Sequence, residues 1–116
     1  MVDNFELVIP EDYFDKIKVG TINLALRVNN SKVKKYVIGN VLTLKKMNSE
    51  SEFIRAEISN LYYFETIKDA LDNLGKSRFG YSNSVTADKI EDKLLSYYKN
   101  EEILKNGIVC IEIKVL

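Results

Sequence analysis

The chain has no histidine and no tryptophan, and only one cysteine and one proline among its 116 residues. Without histidine it lacks the side chain that most often serves as general base near neutral pH, and every triad built on one. One cysteine without histidine excludes a zinc site of the usual Cys/His type. The lone Cys110 has no partner for an internal disulfide, which suits a reducing compartment. The five glycines, Gly20, Gly39, Gly75, Gly80 and Gly107, are scattered as punctuation, and none belongs to a glycine-rich phosphate loop. No apolar run approaches the ~20 residues of a membrane span. The N-terminus shows no basic start leading into an apolar stretch. The expected location is the cytoplasm, or the interior of a host cell if the source is a virus, with no membrane partner. No metal and no cofactor is expected.

Negative charge is also missing, but only locally. From Lys16 to Lys46 the chain carries Lys16, Lys18, Arg27, Lys32, Lys34, Lys35, Lys45 and Lys46 without one Asp or Glu. The formal net charge is zero, so the remainder holds nine basic residues against all seventeen acidic ones. A basic block inside a neutral chain points to a local patch for an anion rather than to a generally cationic protein. The length fits one domain, residues 1–116, with 46% hydrophobic residues to fill an ordinary core.

Periodicity places strands at both ends and helices between. Phe5 to Ile9, Asn23 to Val28, Val41 to Lys46, Glu52 to Ser59 and Ile108 to Val115 read as strands. A short helix opens at Pro10 as its first residue, with Glu11 and Asp12 in the first turn and Lys16 and Lys18 in the last. Ser31 to Tyr36 reads as a basic turn or short helix, and Gly39-Asn40 as a tight turn. Thr66 to Leu74 and Thr86 to Ser96 read as capped helices, and Asn100 to Asn106 as a further turn of helix closed by Gly107. Lys76 to Ser84 reads as a polar loop. The predicted class is α+β, a mixed barrel of five or six strands with flanking helices.

Four motifs in order resemble the ASCH family, relatives of the PUA-like β-barrels. They are Gly20-Thr21-Ile22-Asn23-Leu24-Ala25-Leu26-Arg27, the turn Gly39-Asn40, the run Tyr63-Phe64-Glu65-Thr66-Ile67 with Leu71, and Tyr97-Tyr98 followed by Gly107 and an apolar strand. The resemblance covers nearly the whole chain. It implies a small PUA-like barrel that binds RNA or a nucleotide-like ligand in a cleft beside Arg27. Hydrolases of this type use a Lys, a Thr and a distant Glu. The matching positions here are Ile22, Ala25 and Asn83, so the resemblance implies the fold without that amidohydrolase chemistry.

The candidate ligand- or RNA-binding residues are Arg27, Lys18, Lys32, Lys34, Lys35, Tyr63 and Thr66, with no catalytic residue assigned. Arg27 offers a planar fork for a phosphate or a base edge. The lysines supply counterion-release affinity, or else form a solvated face. Tyr63 offers a stacking surface and Thr66 a hydrogen bond, although Thr66 suits a helix cap equally well. Two other readings stand beside this one: a nuclease or hydrolase with a rearranged site, such as an RNase using Lys18, Tyr63 and Thr66, and a protein-interaction module. Ile22 and Ala25 can neither move a proton nor attack a carbonyl. The purified protein is therefore expected to leave N4-acetylcytidine intact in a chromatographic assay; turnover abolished by a mutation in the cleft would contradict this.

Overall fold

The computed structural model describes residues 4–96 and 98–116. Five strands form one mixed sheet: β1 (Asn4–Ile9), β2 (Leu24–Val28), β3 (Val41–Lys46), β4 (Phe53–Phe64) and β5 (Ile108–Val115), in the order β1-β3-β4-β5-β2. The β1–β3 pair is parallel and the other three are antiparallel. Four helices accompany them: α1 (Glu11–Lys18), α2 (Ile67–Leu74), α3 (Ala87–Leu95) and α4 (Asn100–Asn106). The architecture is the expected α+β type, with five strands curled into a half-barrel.

Packing shows why the sheet must curl. Leu7 and Ile9 come from one edge strand and Ala25 from the other, yet they share a buried cluster with Leu42, Leu44, Ala56, Ile58 and Ile111. Residues from opposite edges meet only if the sheet bends toward that face. α1 seats Phe14 and Ile17 in the same cluster, both 1% exposed. The outer face of β2 and β5 carries Leu24, Leu26, Ile108 and Cys110 and is covered by Ile67, Ala70 and Leu71 of α2, Ile90 and Leu94 of α3, and Ile103 of α4. The first half of β5 is thus buried on both faces, which explains the apolar run Ile108-Val109-Cys110-Ile111.

Several boundaries differ from the periodicity for physical reasons. Pro10 is the N-cap of α1 rather than its first residue, with φ −53° and ψ 145°. β4 runs on to Phe64 because a bulge between Ile58 and Asn60 resets the alternation, which the Ser59-Asn60 pair hides in the sequence. The basic turn is a 3-10 turn, Val33–Lys35, that buries Val33 and, three residues on, Tyr36. Within the stretch read as a polar loop, Lys76–Phe79 forms a second such turn and buries Phe79. Thr66 and Thr86 cap α2 and α3 by accepting from the amides of Asp69 and Lys89. Tyr97 lies outside the described residues. Among those described, no helix is long and apolar enough to cross a membrane.

Cys110 is fully buried, and burial pushes its thiol up to about 12, opposed by the nearby charge of Arg78. The thiolate is the reactive form. Native protein at pH 8 is expected to resist a disulfide-exchange reagent such as Ellman's reagent, and to react fully once unfolded in guanidinium. Rapid labelling of the folded protein would show that Cys110 is accessible.

Candidate functional site

The curl leaves an open seam between β1 and β2. β2 pairs on one side only: the Asn23 carbonyl accepts from the Ile113 amide, and the Asn29 amide donates to the Gly107 carbonyl. The antiparallel alternation therefore turns the backbone groups of Leu24, Leu26 and Val28 toward the seam. On the facing edge, Ile9 turns its carbonyl to the β3 side, where the Met47 amide donates to it, so Glu6 and Val8 point theirs outward.

Basic side chains occupy these edge groups. Arg27 Nη1 donates to the Leu26 carbonyl at 2.8 Å and to the Tyr98 hydroxyl at 2.6 Å, while Nη2 reaches across to the Val8 carbonyl at 2.7 Å. The Tyr98 hydroxyl in turn donates to the Leu26 carbonyl at 2.8 Å. Two residues along β1, Lys32 Nζ donates to the Glu6 carbonyl at 3.1 Å. Among the described residues no carboxylate forms an ion pair with Arg27. Its half-buried charge is held by neutral acceptors alone.

Beside Arg27 lies a cavity of about 30 Å³, walled by Tyr13, Leu26, Phe79, Tyr81 and Tyr98 among others. Tyr13 and Tyr81 meet edge to face, with ring centroids 6.3 Å apart. Lys93 Nζ sits 5.6 Å from the centre of the Tyr13 ring and 5.7 Å from that of Tyr81, and Lys16 Nζ lies 5.9 Å from the Tyr81 ring. Lys93 also pairs with Asp12 at 3.6 Å, and Lys16 donates to the Gly80 carbonyl at 3.3 Å. The hydroxyls of Tyr13 and Tyr36 are buried without a hydrogen bond among the described residues. Such groups are rare in folded proteins and mark strain or a site for water or ligand. Burial pushes the Tyr36 hydroxyl above its ordinary pKa, and the charge of Arg27 opposes that rise.

Only part of the sequence-based set gathers here. Arg27 and Lys32 lie in the seam, with Lys34 and Lys35 exposed on the 3-10 turn beside Lys32. Lys18 is exposed at the end of α1. Tyr63 and Thr66 line a different, open groove of about 910 Å³, together with Asp69, Leu104 and others, so they share no cavity with Arg27 or Lys18. Ile22 and Ala25 are core residues, 3% and 5% exposed, and Asn83 is exposed on a loop. Sequence reasoning missed Tyr13 and Tyr81, which share the cavity wall with Arg27, and Lys93, which lies against their rings. They come from three distant segments, and no periodicity links them.

The segment that brings Phe79 and Tyr81 to the cavity is moored from below. Arg78 pairs with Glu112, which also accepts from Ser59 Oγ at 3.1 Å and from the Tyr62 hydroxyl at 3.2 Å. At Gly80, with φ +86°, a Cβ would come within 3.1 Å of Ile22 and 3.2 Å of Lys16, so the chain here lies close against α1 and the loop that leads into β2.

No family model matches the chain, and no curated protein is similar to it in sequence. Several solved structures share its fold, among them these two. The crystal structure of the hypothetical protein PH0355 has a TM-score of 0.85 and 19% identity over 98% of this chain and all of its own. The solution structure of protein PF0455 from Pyrococcus furiosus has a TM-score of 0.76 and 18% identity over 98% of both chains. At such identity the likeness speaks of the fold alone.

Burial pushes the Glu112 carboxyl up, but hydrogen bonds from Arg78, Ser59 and Tyr62 outweigh it and hold the group below its ordinary 4.5. A depressed folded pKa gives stability that is complete above the unfolded value and is lost as pH falls through the folded one. Glu112→Gln is expected to cost about 1–2 kcal/mol at pH 7, a charge-assisted contribution reduced by partial solvent screening. Urea denaturation from pH 7 to 3 checks the sign. The wild type should lose its advantage over the variant below the ordinary carboxylate range, and a constant difference across that range would contradict the assignment.

Proposed function

We propose that the chain is an ASCH-like domain whose β1/β2 seam binds RNA or a nucleotide-like ligand, without amidohydrolase chemistry. One observation supports this above the others: Arg27 is half-buried and has no carboxylate paired with it among the described residues, beside an aromatic cavity walled in part by Tyr13, whose hydroxyl has no hydrogen bond among those residues. A guanidinium held by neutral carbonyls gains from exchanging them for an anion, because charge-assisted hydrogen bonds are roughly twice as strong as neutral ones. Tyr81 and Tyr98 offer stacking faces to bases. Lys32, flanked by Lys34, Lys35 and the more distant Lys18, supplies sequence-independent attraction to phosphate. Tyr63 and Thr66 belong to the other groove and take no part in this reading.

The cavity of about 30 Å³ has room for a water molecule, far below the roughly 300–1,000 Å³ of a small-molecule pocket. Binding in this reading draws Tyr81 outward, at the expense of the Lys16–Gly80 hydrogen bond and the lysine contacts with its ring. Without tryptophan, the fluorescence comes from the seven tyrosines, and the part of a binding-induced change that Tyr81→Ala removes reports that movement.

Titration with labelled single-stranded RNA, and separately with nucleoside monophosphates, at two salt concentrations tests the reading. If Arg27 and about four lysines touch phosphates, log affinity should fall against log salt with a slope on the order of −3. Lys32→Glu with Lys34→Glu should weaken binding uniformly across sequences, since phosphate contacts carry no base information. Arg27→Ala should cost roughly 1.5–3 kcal/mol of binding. Because Arg27 also bridges the seam, a melting curve must accompany that variant, and Tyr81→Ala provides an independent lesion of the cavity. Absence of binding at low salt, or binding indifferent to all these changes, would remove the nucleic-acid reading.

A further inference from the structure

Two surfaces outside the seam complement one another. The first is the turn Val37–Asn40. Its Asn40 amide donates to the Val37 carbonyl at 3.1 Å, and the Val37 amide to Asn40 Oδ1 at 2.9 Å. It is pinned to β4 by Gly39 N–H to the Ile58 carbonyl at 2.8 Å and Ile58 N–H to the Asn40 carbonyl at 2.9 Å. Gly39 takes φ +96°, which the turn requires at that position. The backbone is thus tied down at four points while it projects two adjacent aliphatic side chains, Val37 at 57% exposure and Ile38 at 62%. Lys34 and Lys35 stand beside them, exposed and without an ion pair among the described residues.

The second surface is the open groove between the end of β4, α2 and α4. Tyr63 and Leu104, 59% and 76% exposed, give it an apolar lining. Glu65 and Asp69 outnumber its one cation, Lys105, and neither carboxylate is ion-paired among the described residues. At about 910 Å³ it has ample room for a valine and an isoleucine side chain. The apolar knob with a basic collar and the apolar groove with an acidic rim belong to the same neutral chain.

We propose that the Val37–Ile38 turn of one copy docks into the Tyr63–Leu104 groove of a second copy. Lys34 and Lys35 then meet Glu65 and Asp69 across the contact. The two surfaces are different, so the contact is heterologous, and repetition builds a ring or an open chain rather than a closed two-fold dimer. A turn in a groove buries less than the roughly 800 Å² per partner of a standard interface, so the association is weak and concentration-dependent. Opposite charges at its rim make it sensitive to salt. This proposal does not depend on the function proposed for the seam, and its test contains no nucleic acid.

Sedimentation velocity of the full chain from micromolar to millimolar concentration at low salt is the test. Growing species are expected, with association weakened on the order of tenfold in high salt as the rim charges are screened. Val37→Ser with Ile38→Ser removes the knob, and Leu104→Ser with Glu65→Lys spoils the groove. All four positions are exposed, and circular dichroism confirms folding. Each variant alone should stay monomeric. Mixed together they should form a dimer that stops at two copies, because each retains one intact surface. Lys34→Glu with Lys35→Glu should abolish association, and mixing it with a Glu65→Lys, Asp69→Lys chain should restore growth as an alternating assembly of the two chains, since each turn then meets a groove of opposite charge. A monomer throughout the range, association that survives loss of either surface, or variants that fail to pair when mixed would each overturn the proposal.

Discussion

A curled sheet that stops short of closing leaves two rows of backbone groups facing each other, and here a single guanidinium spans the gap. Arg27 takes one carbonyl from its own strand and one from β1, with Tyr98 completing the set. Lys32 treats the next outward carbonyl of β1 in the same way. Charged side chains on edge strands are a common protection against pairing with foreign strands. The seam thereby fixes how far the sheet curls, and so the relation of α1 to the segment carrying Phe79 and Tyr81, which together wall the cavity. One arginine is both a structural bridge and the strongest candidate for anion contact. Its exposed neighbours Lys34 and Lys35 are bound to neither role by geometry.

The positions around Arg27 show how residue type decides which side chains are drawn into the core. Ile22 and Ala25 are both absorbed into the core. A lysine or threonine at such buried places requires hydrogen-bond partners, whereas an isoleucine and an alanine require only packing. The cavity wall takes its polar groups from tyrosines, and among the described residues the Tyr13 hydroxyl has no hydrogen bond.

Much of the architecture was legible in the sequence. β3, α4 and β5 have boundaries identical to those read from periodicity, and the Thr66 and Thr86 caps follow from side-chain chemistry at their positions. Legibility failed where the signal is not periodic. The bulge at Ile58 and Asn60 breaks alternation, so half of β4 was invisible. Phe79 is buried from within a polar stretch, by a turn too short to show a repeat. The cavity draws Tyr13, Tyr81 and Tyr98 from three distant parts of the chain, and their meeting is a property of topology. Tyr63 and Thr66 stand close together in the sequence, but a strand end carries them to another groove.

That topology also governs the order in which the chain can acquire structure. β1 and β3 can pair early, and β3 with β4 forms a local hairpin, but β2 has only one neighbour in the sheet, β5, with Leu24 set opposite Glu112. On a ribosome, β2 therefore waits through the synthesis of every other element of the sheet with both of its edges open. Until β5 slides between β4 and β2 there is no outer face for α2, α3 and α4 to cover, and no seam for Arg27 to bridge. The segment most exposed to mispairing in a nascent chain is then the stretch around β2, which has the basic block on either side of it and no acidic residue within it. The mutual repulsion of that block is a means of keeping such a strand soluble until its partner arrives.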